Sequence, residues 1–235
     1  MTPTRFERIK QMLIQRQTDL TVLMEEVHKP HNVAALIRTC DAVGIHEAHV
    51  VWNQNYSLRV GTSLGAHHWV GMHEHSDIEK AIAHLKGQGM QVLVTNLSDD
   101  AVDFREVDYT LPTAIILGQE KFGATKNAIA LADKEIVVPM VGMTVSLNVS
   151  VAAAVILYEA QRQREAAGMY ETMTLPEAEC QRQLFAGGYP QLYQQCRKLG
   201  LVLPQINDEG DIEADDAWWH AVRQSPIETS DPSTS

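Results

Sequence analysis

"LTVLMEEVHKPHNVAALIRTCDAVGIHEAHVVW", residues 20–52, changes its hydrophobic period twice. "LTVLMEEV" and "EAHVVW" are short apolar runs of strand length. Between them "VAALIRTCDAV" has helical character, with Asn32 placed as its N-cap and Gly44 as its stop. Strand, helix, strand is the unit from which parallel sheets are built, because two parallel strands need a crossover to join them. The alternation continues through "MQVLVTNL" (90–97), "TAIILG" (113–118) and "EIVVPM" (135–140). Ser76 and Glu79 have capping-box spacing before "KAIAHLK", which closes at Gly87. The fold class expected is α/β, a mostly parallel sheet flanked by helices, with residues 20–168 as one domain.

Two flanking segments differ in character. Thr4 and Glu7 have capping-box spacing, and Phe6, Ile9 and Leu13 recur at helical intervals, so the spacing predicts an amphipathic helix over 4–17 within an N-terminal extension, 1–19. That helix is basic: Arg5, Arg8, Lys10 and Arg16 stand against Glu7. Residues 169–235 read as a C-terminal helical extension, interrupted at Gly187, Gly188, Pro190 and Pro204 and ending in "SPIETSDPSTS", a tail of disordered composition. The net charge of −11 argues at first against a nucleic-acid partner, but residues 207–235 hold eight acids and one arginine, which leaves −4 for the rest. A local RNA-binding surface is therefore compatible with the acidic total.

At 235 residues, 45% hydrophobic and 21% charged, the composition is that of an ordinary globular protein. No stretch approaches the roughly 18 apolar residues of a membrane span, and "MTPTRFERIK" lacks the apolar centre of a secretory signal, so a cytoplasmic location is expected. Cys40, Cys180 and Cys196 are odd in number and far apart, which offers neither a disulfide framework nor a C-x-x-C motif.

Four segments carry residues suited to chemistry. In "HKPHNVAALIRTCDAVG" (28–44), Pro30 between His28 and His31 disfavours a continuous helix and no third ligand is near, so a metal pair is unsupported. Arg38 is the only charge in its helix before Asp41, set among Ala34, Ala35, Leu36, Ile37, Ala42 and Val43; such a guanidinium needs an anion or a subunit partner. "LGQEKFGATK" (117–126) follows an apolar strand, yet Lys126 is misplaced for a P-loop and no glycine stands midway between Gly118 and Gly123 for a dinucleotide fingerprint. What remains is either a structural turn or a ligand loop at the carboxyl end of a strand, where open α/β sheets bind, with Glu120 projecting from it.

"VGMTVSLNVSVAAAVILYEA" (141–160) passes from loop to helix and sets Ser146, Asn148 and Ser150 at the entrance. Ser146 or Asn148 can cap the helix, and its free backbone N–H groups suit an acidic or polar ligand. "GAHHWVGMHEH" (65–75) gathers His67, His68, His73 and His75 around Glu74 without a recognised ligand spacing, and a surface or interface cluster is expected there, with no metal. Neither a G-x-S-x-G elbow nor a cysteine beside a base is present.

The order of these segments is more informative than any one of them. "HNVAALIRTCDAVG" (31–44), "LGQEKFG" (117–123) and "PMVGMTVSLNVSVAAAVILYEA" (139–160) resemble the three motifs of the SpoU branch of the SPOUT RNA 2′-O-ribose methyltransferases. "VHKPHN", "HLKGQGM", "TNLSD", "AVDFREVDYT" and "GGYP" are similar to its TrmH group, which methylates guanosine-18 in the D-loop of tRNA, and the likeness extends to about Trp219.

The resemblance implies a trefoil knot in the C-terminal part of the α/β domain, an exception to the rule against threaded chains. It also implies S-adenosylmethionine as cofactor, tRNA as partner and a homodimer joined through the knot. By the same likeness Thr95, Asn96, Leu97, Gly118, Val138, Met140, Leu147 and Asn148 contact the cofactor. Asn32, Arg38, Glu120, Ser146 and Asn148 fall on the motif positions for catalysis and substrate handling, and the basic extension binds RNA through Arg5, Arg8, Lys10 and Arg16 together with Arg38. "NQNYSLRVGTSLGAHHW" (53–69) departs from the pattern in its histidines and length, which leaves RNA contacts there open.

Methyl transfer from a sulfonium needs the ribose oxygen placed in line with the methyl carbon, which is positioning catalysis without a metal. The hydroxyl proton must also leave, and a guanidinium is effectively always protonated. Arg38 therefore either loses a proton transiently while holding a phosphate and the hydroxyl, or stays charged and stabilises the developing alkoxide; the second is the physical default. The same chemistry on another tRNA or ribosomal RNA nucleotide, and a non-catalytic RNA-binding member of the fold, are the competing readings.

Overall fold

The alternation of strands and helices resolves into a seven-stranded, wholly parallel sheet. The structure, a computed structural model, describes residues 1–52 and 69–224. Along the chain run α1 (Pro3–Ile14), β1 (Leu20–Glu25), α2 (Pro30–Ala42), β2 (Glu47–Val51), β3 (Gly71–His75), α3 (Ile78–Gly87) and β4 (Gln91–Thr95). Then come β5 (Val102–Asp103), a 3₁₀ turn (Phe104–Glu106), β6 (Thr113–Leu117), α4 (Lys126–Leu131), β7 (Lys134–Val137) and α5 (Val149–Ala166). Beyond these lie α6 (Glu177–Gly188), α7 (Pro190–Leu199), the antiparallel pair β8 (Gln205–Ile206) and β9 (Ile212–Glu213), and α8 (Asp216–Arg223). The strand order in the large sheet is β3-β2-β1-β6-β4-β7-β5.

The central strands are apolar on both sides because helices cover both faces of the sheet. Leu20, Val22 and Met24 of β1, Leu93 of β4 and Ile115 and Leu117 of β6 join one core with α2 and α5. Their alternates Leu23, Val92, Val94, Ala114 and Ile116 join a second core with α3 and α4. Each such Val, Leu, Ile or Met side chain, fully buried, contributes roughly 1.5–3 kcal/mol, and a one-residue slip in register would exchange residues between the two cores and mismatch the packing of both.

Helix starts differ from the sequence expectation by one to three residues, for local reasons. Thr2, not Thr4, faces the first turn of α1: its hydroxyl accepts from the Arg5 N–H (3.3 Å), with Pro3 at the first helical position. Asp77, not Ser76, caps α3, accepting from the Lys80 N–H at 2.7 Å. Lys29 stands at the N-cap of α2 and Pro30 opens the helix, so Pro30 starts the element it was expected to interrupt, and Asn32 lies inside the first turn.

The chain forms two compact units, Gln15–Thr174 and a second that unites Met1–Ile14 with the chain from Leu175 onward. Of the flanking extensions, expected as segments 1–19 and 169–235, residues 1–14 and the described residues from 175 onward fold together, while 15–19 and 169–174 belong to the larger unit. In that unit α1 packs on α6 through Phe6, Ile9 and Leu13, the Met1 ammonium donates to the Tyr189 hydroxyl and the Gly210 carbonyl, and Arg5 Nε donates to the Gly187 carbonyl at 2.7 Å.

Within the larger unit two arginines are buried. Arg16, 1% exposed, donates to the Ile45 carbonyl (2.9 Å) and to Asp41 (2.6 Å). It was expected on a basic RNA-binding face; α1 ends at Ile14, and Arg16, two residues later, is buried in the larger unit. Arg164, 0% exposed at the end of α5, spends its guanidinium on the carbonyls of Asp19, Tyr109 and Leu111 and on the side chains of Gln17 and Asp19. A buried charge satisfied on every side avoids the several kcal/mol that an unpaired one costs. Among the described residues no helix is long and apolar enough to cross a membrane. His67, His68 and the tail "SPIETSDPSTS" lie outside the described residues.

Candidate active site

Four adjacent strands, β1, β6, β4 and β7, end at the same edge of the sheet. Met24 is level with Leu117, Val94 with Ile116, and Thr95 with Ile136. The chain leaves this edge in four segments, 26–29, 96–101, 118–125 and 138–148, and parallel α/β sheets offer their ligand crevice at such carboxyl ends.

Side chains from three distant segments bond to one another there. Asn32 is buried, 1% exposed, and its Nδ2 donates to Glu120 Oε1 at 2.5 Å. Asn148 Nδ2 donates to Asn32 Oδ1 at 3.2 Å, and Asn148 Oδ1 caps α5 by accepting from the Ser150 N–H (2.9 Å) and hydroxyl (2.7 Å). The chain of bonds therefore runs from α5 through α2 to the loop after β6 and terminates on a carboxylate. Partial burial pushes the Glu120 carboxyl up, but its own backbone N–H, the Asn32 amide, Lys29 and His28 outweigh that and hold it below the ordinary range. Glu120 is an anion that fixes the orientation of two amides.

The loop carrying Glu120 is tight by construction. A Cβ on Gly118 would lie 2.1 Å from the Ala124 nitrogen and 2.2 Å from the Gly123 carbonyl carbon, so only glycine lets the loop fold back on itself. Gln119 and Gly123 close it with a backbone bridge, and Gly123 takes φ 72°. Its far end is held by Glu25, which is 3% exposed and accepts from the Thr125 N–H (2.9 Å) and hydroxyl (2.6 Å). Glu25 and Thr125 were missed in the sequence, where Glu25 beside Glu26 reads as the polar end of a strand; the signal available was a charge in register with an apolar run.

The segment after β7 has the opposite character. Among the described residues, the one hydrogen bond within 139–147 runs from the Thr144 hydroxyl to the Ser146 carbonyl at 3.3 Å. Val141 and Met143 are fully exposed and Val145 is 77% exposed. Backbone amides and apolar side chains lie open together there, and Leu97, which follows β4 at the same edge, is 59% exposed. That combination suits a ligand with hydrogen-bonding edges and an apolar body.

Residues 19–158 match the SpoU rRNA Methylase family, and residues 162–215 match the family described as SpoU, rRNA methylase, C-terminal. The chain belongs to the SpoU/TrmH family. The tRNA (guanosine(18)-2′-O)-methyltransferase of Escherichia coli is 59% identical over 226 residues, 95% of this chain and 99% of that protein. The enzyme of the same description from Thermus thermophilus is 55% identical over 172 residues, 72% of this chain and 88% of that protein. The crystal structure of the A. aeolicus TrmH/SpoU tRNA modifying enzyme aligns with a TM-score of 0.73 at 41% identity, over 80% of this chain and 96% of that one. The SpoU methyltransferase AviRb from Streptomyces viridochromogenes, solved in complex with AdoMet, gives 0.58 at 28% identity, over 65% and 64%.

Of the SpoU/TrmH motif residues, Asn32, Glu120 and Asn148 are joined by bonds, and two are not. Ser146 is exposed on the open segment, its carbonyl engaged by Thr144. Arg38 is exposed on α2; six residues from Asn32 correspond to about 240° of helix rotation, so it stands on another face and makes no hydrogen bond or ion pair among the described residues. Thr95 donates its hydroxyl to the Ile116 carbonyl (3.1 Å) and Asn96 its amide to Glu135 (2.7 Å). Gly118 is buried at the end of β6, and Val138, Met140 and Leu147 are half-buried. In the smaller unit Arg5 and Arg8 are exposed, and Lys10 lies over the Phe6 ring, 3.8 Å from Glu7.

The histidine cluster regroups. His73 and His75 of β3 stand with His49 of β2 and His84 of α3, the His49 and His75 rings bonding at 2.8 Å. Burial, and then the neighbouring imidazoles, push His49 down to about 3. Among the described residues no group of three or more His, Cys, Asp or Glu is arranged to hold a metal ion.

Proposed function

We propose that this protein methylates the ribose 2′-hydroxyl of guanosine-18 in the D-loop of tRNA, with S-adenosylmethionine as methyl donor. The observation that carries the reading is the hydrogen-bonded chain Asn148–Asn32–Glu120, assembled from the three family motifs at the strand ends. The choice of tRNA rests on likeness over 95% of the chain to enzymes of that description, a span that includes both extensions.

The open amides and apolar side chains of 138–147 and Leu97 fit S-adenosylmethionine. Thr95, Asn96, Leu97, Gly118, Val138, Met140, Leu147 and Asn148 would hold it, and when bound it supplies an activated methyl on a sulfonium. The chain's own part is positioning. Glu120, kept ionised, locks the Asn32 amide, which in turn locks Asn148 at the mouth of α5. Ser146 stands free beside them to bond the nucleotide. Arg38 remains charged, clamps a phosphate and stabilises the alkoxide, and the hydroxyl proton passes to bulk water.

Strand order supports a trefoil knot. From β4 the chain passes beyond the place of β7 to form β5 at the edge, then returns to form β6 on the other side of β4; β7 later enters between β4 and β5, and α5 follows. The exposed face of α5, with Val151, Val155 and Tyr158 at helical spacing, supports a homodimer through this region. Because α2 packs on α5, the dimer reading sets Arg38 near the subunit boundary. Arg5, Arg8 and Lys10 of α1 are the proposed tRNA contacts of the smaller unit.

The test is incubation with unmodified tRNA and labelled S-adenosylmethionine, followed by mapping of the methylated nucleotide. Label at the guanosine-18 ribose is expected; label only in ribosomal RNA overturns the substrate and leaves the chemistry.

A further inference from the structure

We infer that Glu25 is a positioning residue for Glu120: it clamps the far end of the loop whose near end presents Glu120 to Asn32. The inference rests on the proposed methyl-transfer reading and names a residue outside the family motifs.

Glu25 ends β1, in register with Val51 of β2 and one residue beyond the Met24–Leu117 pair, so it is level with Gly118. It shares the strand face of Leu23, which looks into the core formed with α3 and α4. A carboxylate buried to 3% exposure at the rim of that apolar cluster carries a desolvation cost. Among the described residues its only partners are the two donors of Thr125, with no cation beside it. Capping α4 does not require the acid, because the Thr125 hydroxyl oxygen already accepts from the Ala128 N–H at 3.2 Å.

The carboxylate instead ties Thr125 to the strand that leads into Asn32. Asn32 stands seven positions after Glu25, and Thr125 five positions after Glu120. The turn from β1 to α2 and the loop from β6 to α4 are thus bonded to each other twice: Asn32 to Glu120 on the side of α2, and Glu25 to Thr125 on the side of α4. The turn is itself fixed, since Glu26 adopts φ 54° and its N–H donates to the Val51 carbonyl at 2.9 Å. With Gly118 allowing no slack in the loop, freeing Thr125 removes one of the two ties between the loop and the β1–α2 segment and leaves Glu120 held by the Asn32 bond and the Gln119–Gly123 bridge. A loosened site costs rate more than binding.

The experiment is a double-mutant cycle on methyl transfer to tRNA under single-turnover conditions, with Glu25→Gln and Glu120→Ala singly and together, and thermal unfolding of each. Gln keeps the shape but offers one acceptor oxygen and a donor amide where the carboxylate offered two acceptors. Glu25→Gln is expected to slow transfer about tenfold in the wild-type background and less than twofold in the Glu120→Ala background, with little change in the affinity for S-adenosylmethionine measured by calorimetry. A merely structural residue would give the same fold-loss in both backgrounds, and that result, or an undiminished rate in the single variant, overturns the inference. Should Glu25→Gln fail to fold, Thr125→Val, which keeps the N–H bond and deletes the hydroxyl bond, enters the cycle in its place with a smaller loss of the same non-additive kind. A wild-type protein inactive on tRNA would sink the proposed function itself, whereas an active wild type with an additive cycle sinks only the role of Glu25.

Discussion

Two segments at the same edge of the sheet, 118–125 and 139–147, are built in opposite ways. The first is closed by its own backbone bridge, by the Asn32–Glu120 bond and by Glu25 on Thr125. The second contains one hydrogen bond and turns Val141, Met143 and Val145 outward. On the proposed function the difference divides the labour of the site: the tied loop would set charges in place before anything binds, and the open segment would keep its amides and apolar groups for what arrives. Preorganised groups lose nothing at the moment of reaction, while unsatisfied backbone is the surface on which a ligand gains most.

The contrast can be tested by four measurements of decreasing size. Arg38→Ala should lower methyl transfer by about 10²–10³-fold, as removal of a charge-stabilising donor does, and change the calorimetric affinity for S-adenosylmethionine less than twofold. Both segments are complete without Arg38, so a near-normal rate would remove it from the mechanism. Gly118→Ala forces a methyl group into the backbone at Ala124 and Gly123. It should cost about 1–3 kcal/mol of stability, the range for overpacking, by denaturant titration; an unchanged midpoint would mean that the tied loop is not tight.

Addition of S-adenosylmethionine should slow amide hydrogen exchange in 139–147 by about tenfold or more while Gly123 and Thr125 change little, since no backbone N–H of 139–147 is bonded among the described residues whereas those two already are. Equal protection of both would erase the distinction. The smallest effect concerns acid. Glu120 is held below its ordinary value of 4.5, so its bond to Asn32 contributes stability above that value and loses it as pH falls through the depressed one. The stability gap between wild type and Asn32→Ala should be flat above the ordinary value and close below it; a gap that widens in acid would mean that Glu120 bonds as the neutral acid.

Legibility in the sequence follows the same division. β1, β4 and β6 are readable because central strands covered on both faces are largely apolar, and β2 and β7 through the apolar runs they open into, whereas β5, two residues long at the sheet's edge, leaves no pattern. Between the adjacent cap candidates Ser76 and Asp77 the sequence pattern favoured the wrong one, and Asp77 caps α3. Asn32 lost its expected capping role because Pro30 began the helix earlier, and that freed its amide for Glu120. Asn148 did cap α5, and Ser150, without a role in the sequence, is what it binds. The Glu25–Thr125 pair spans 100 residues, and Arg16 fell into a basic stripe although α1 ends two residues before it. Pairings of that range depend on which strand lies beside which, and the order β1-β6-β4-β7 is not written in any one segment.

Arg164 has a consequence for the order of assembly. Its partners Gln17 and Asp19 lie 147 and 145 residues earlier, and Tyr109 and Leu111 lie 55 and 53 earlier. A guanidinium cannot be buried part-satisfied without a penalty of several kcal/mol, so burying the end of α5 costs least once β1 and the stretch leading into β6 are both in place. Refolding should be slow, as contacts of such separation require, and once shut the segments around Asp19, Tyr109 and Arg164 should open only together.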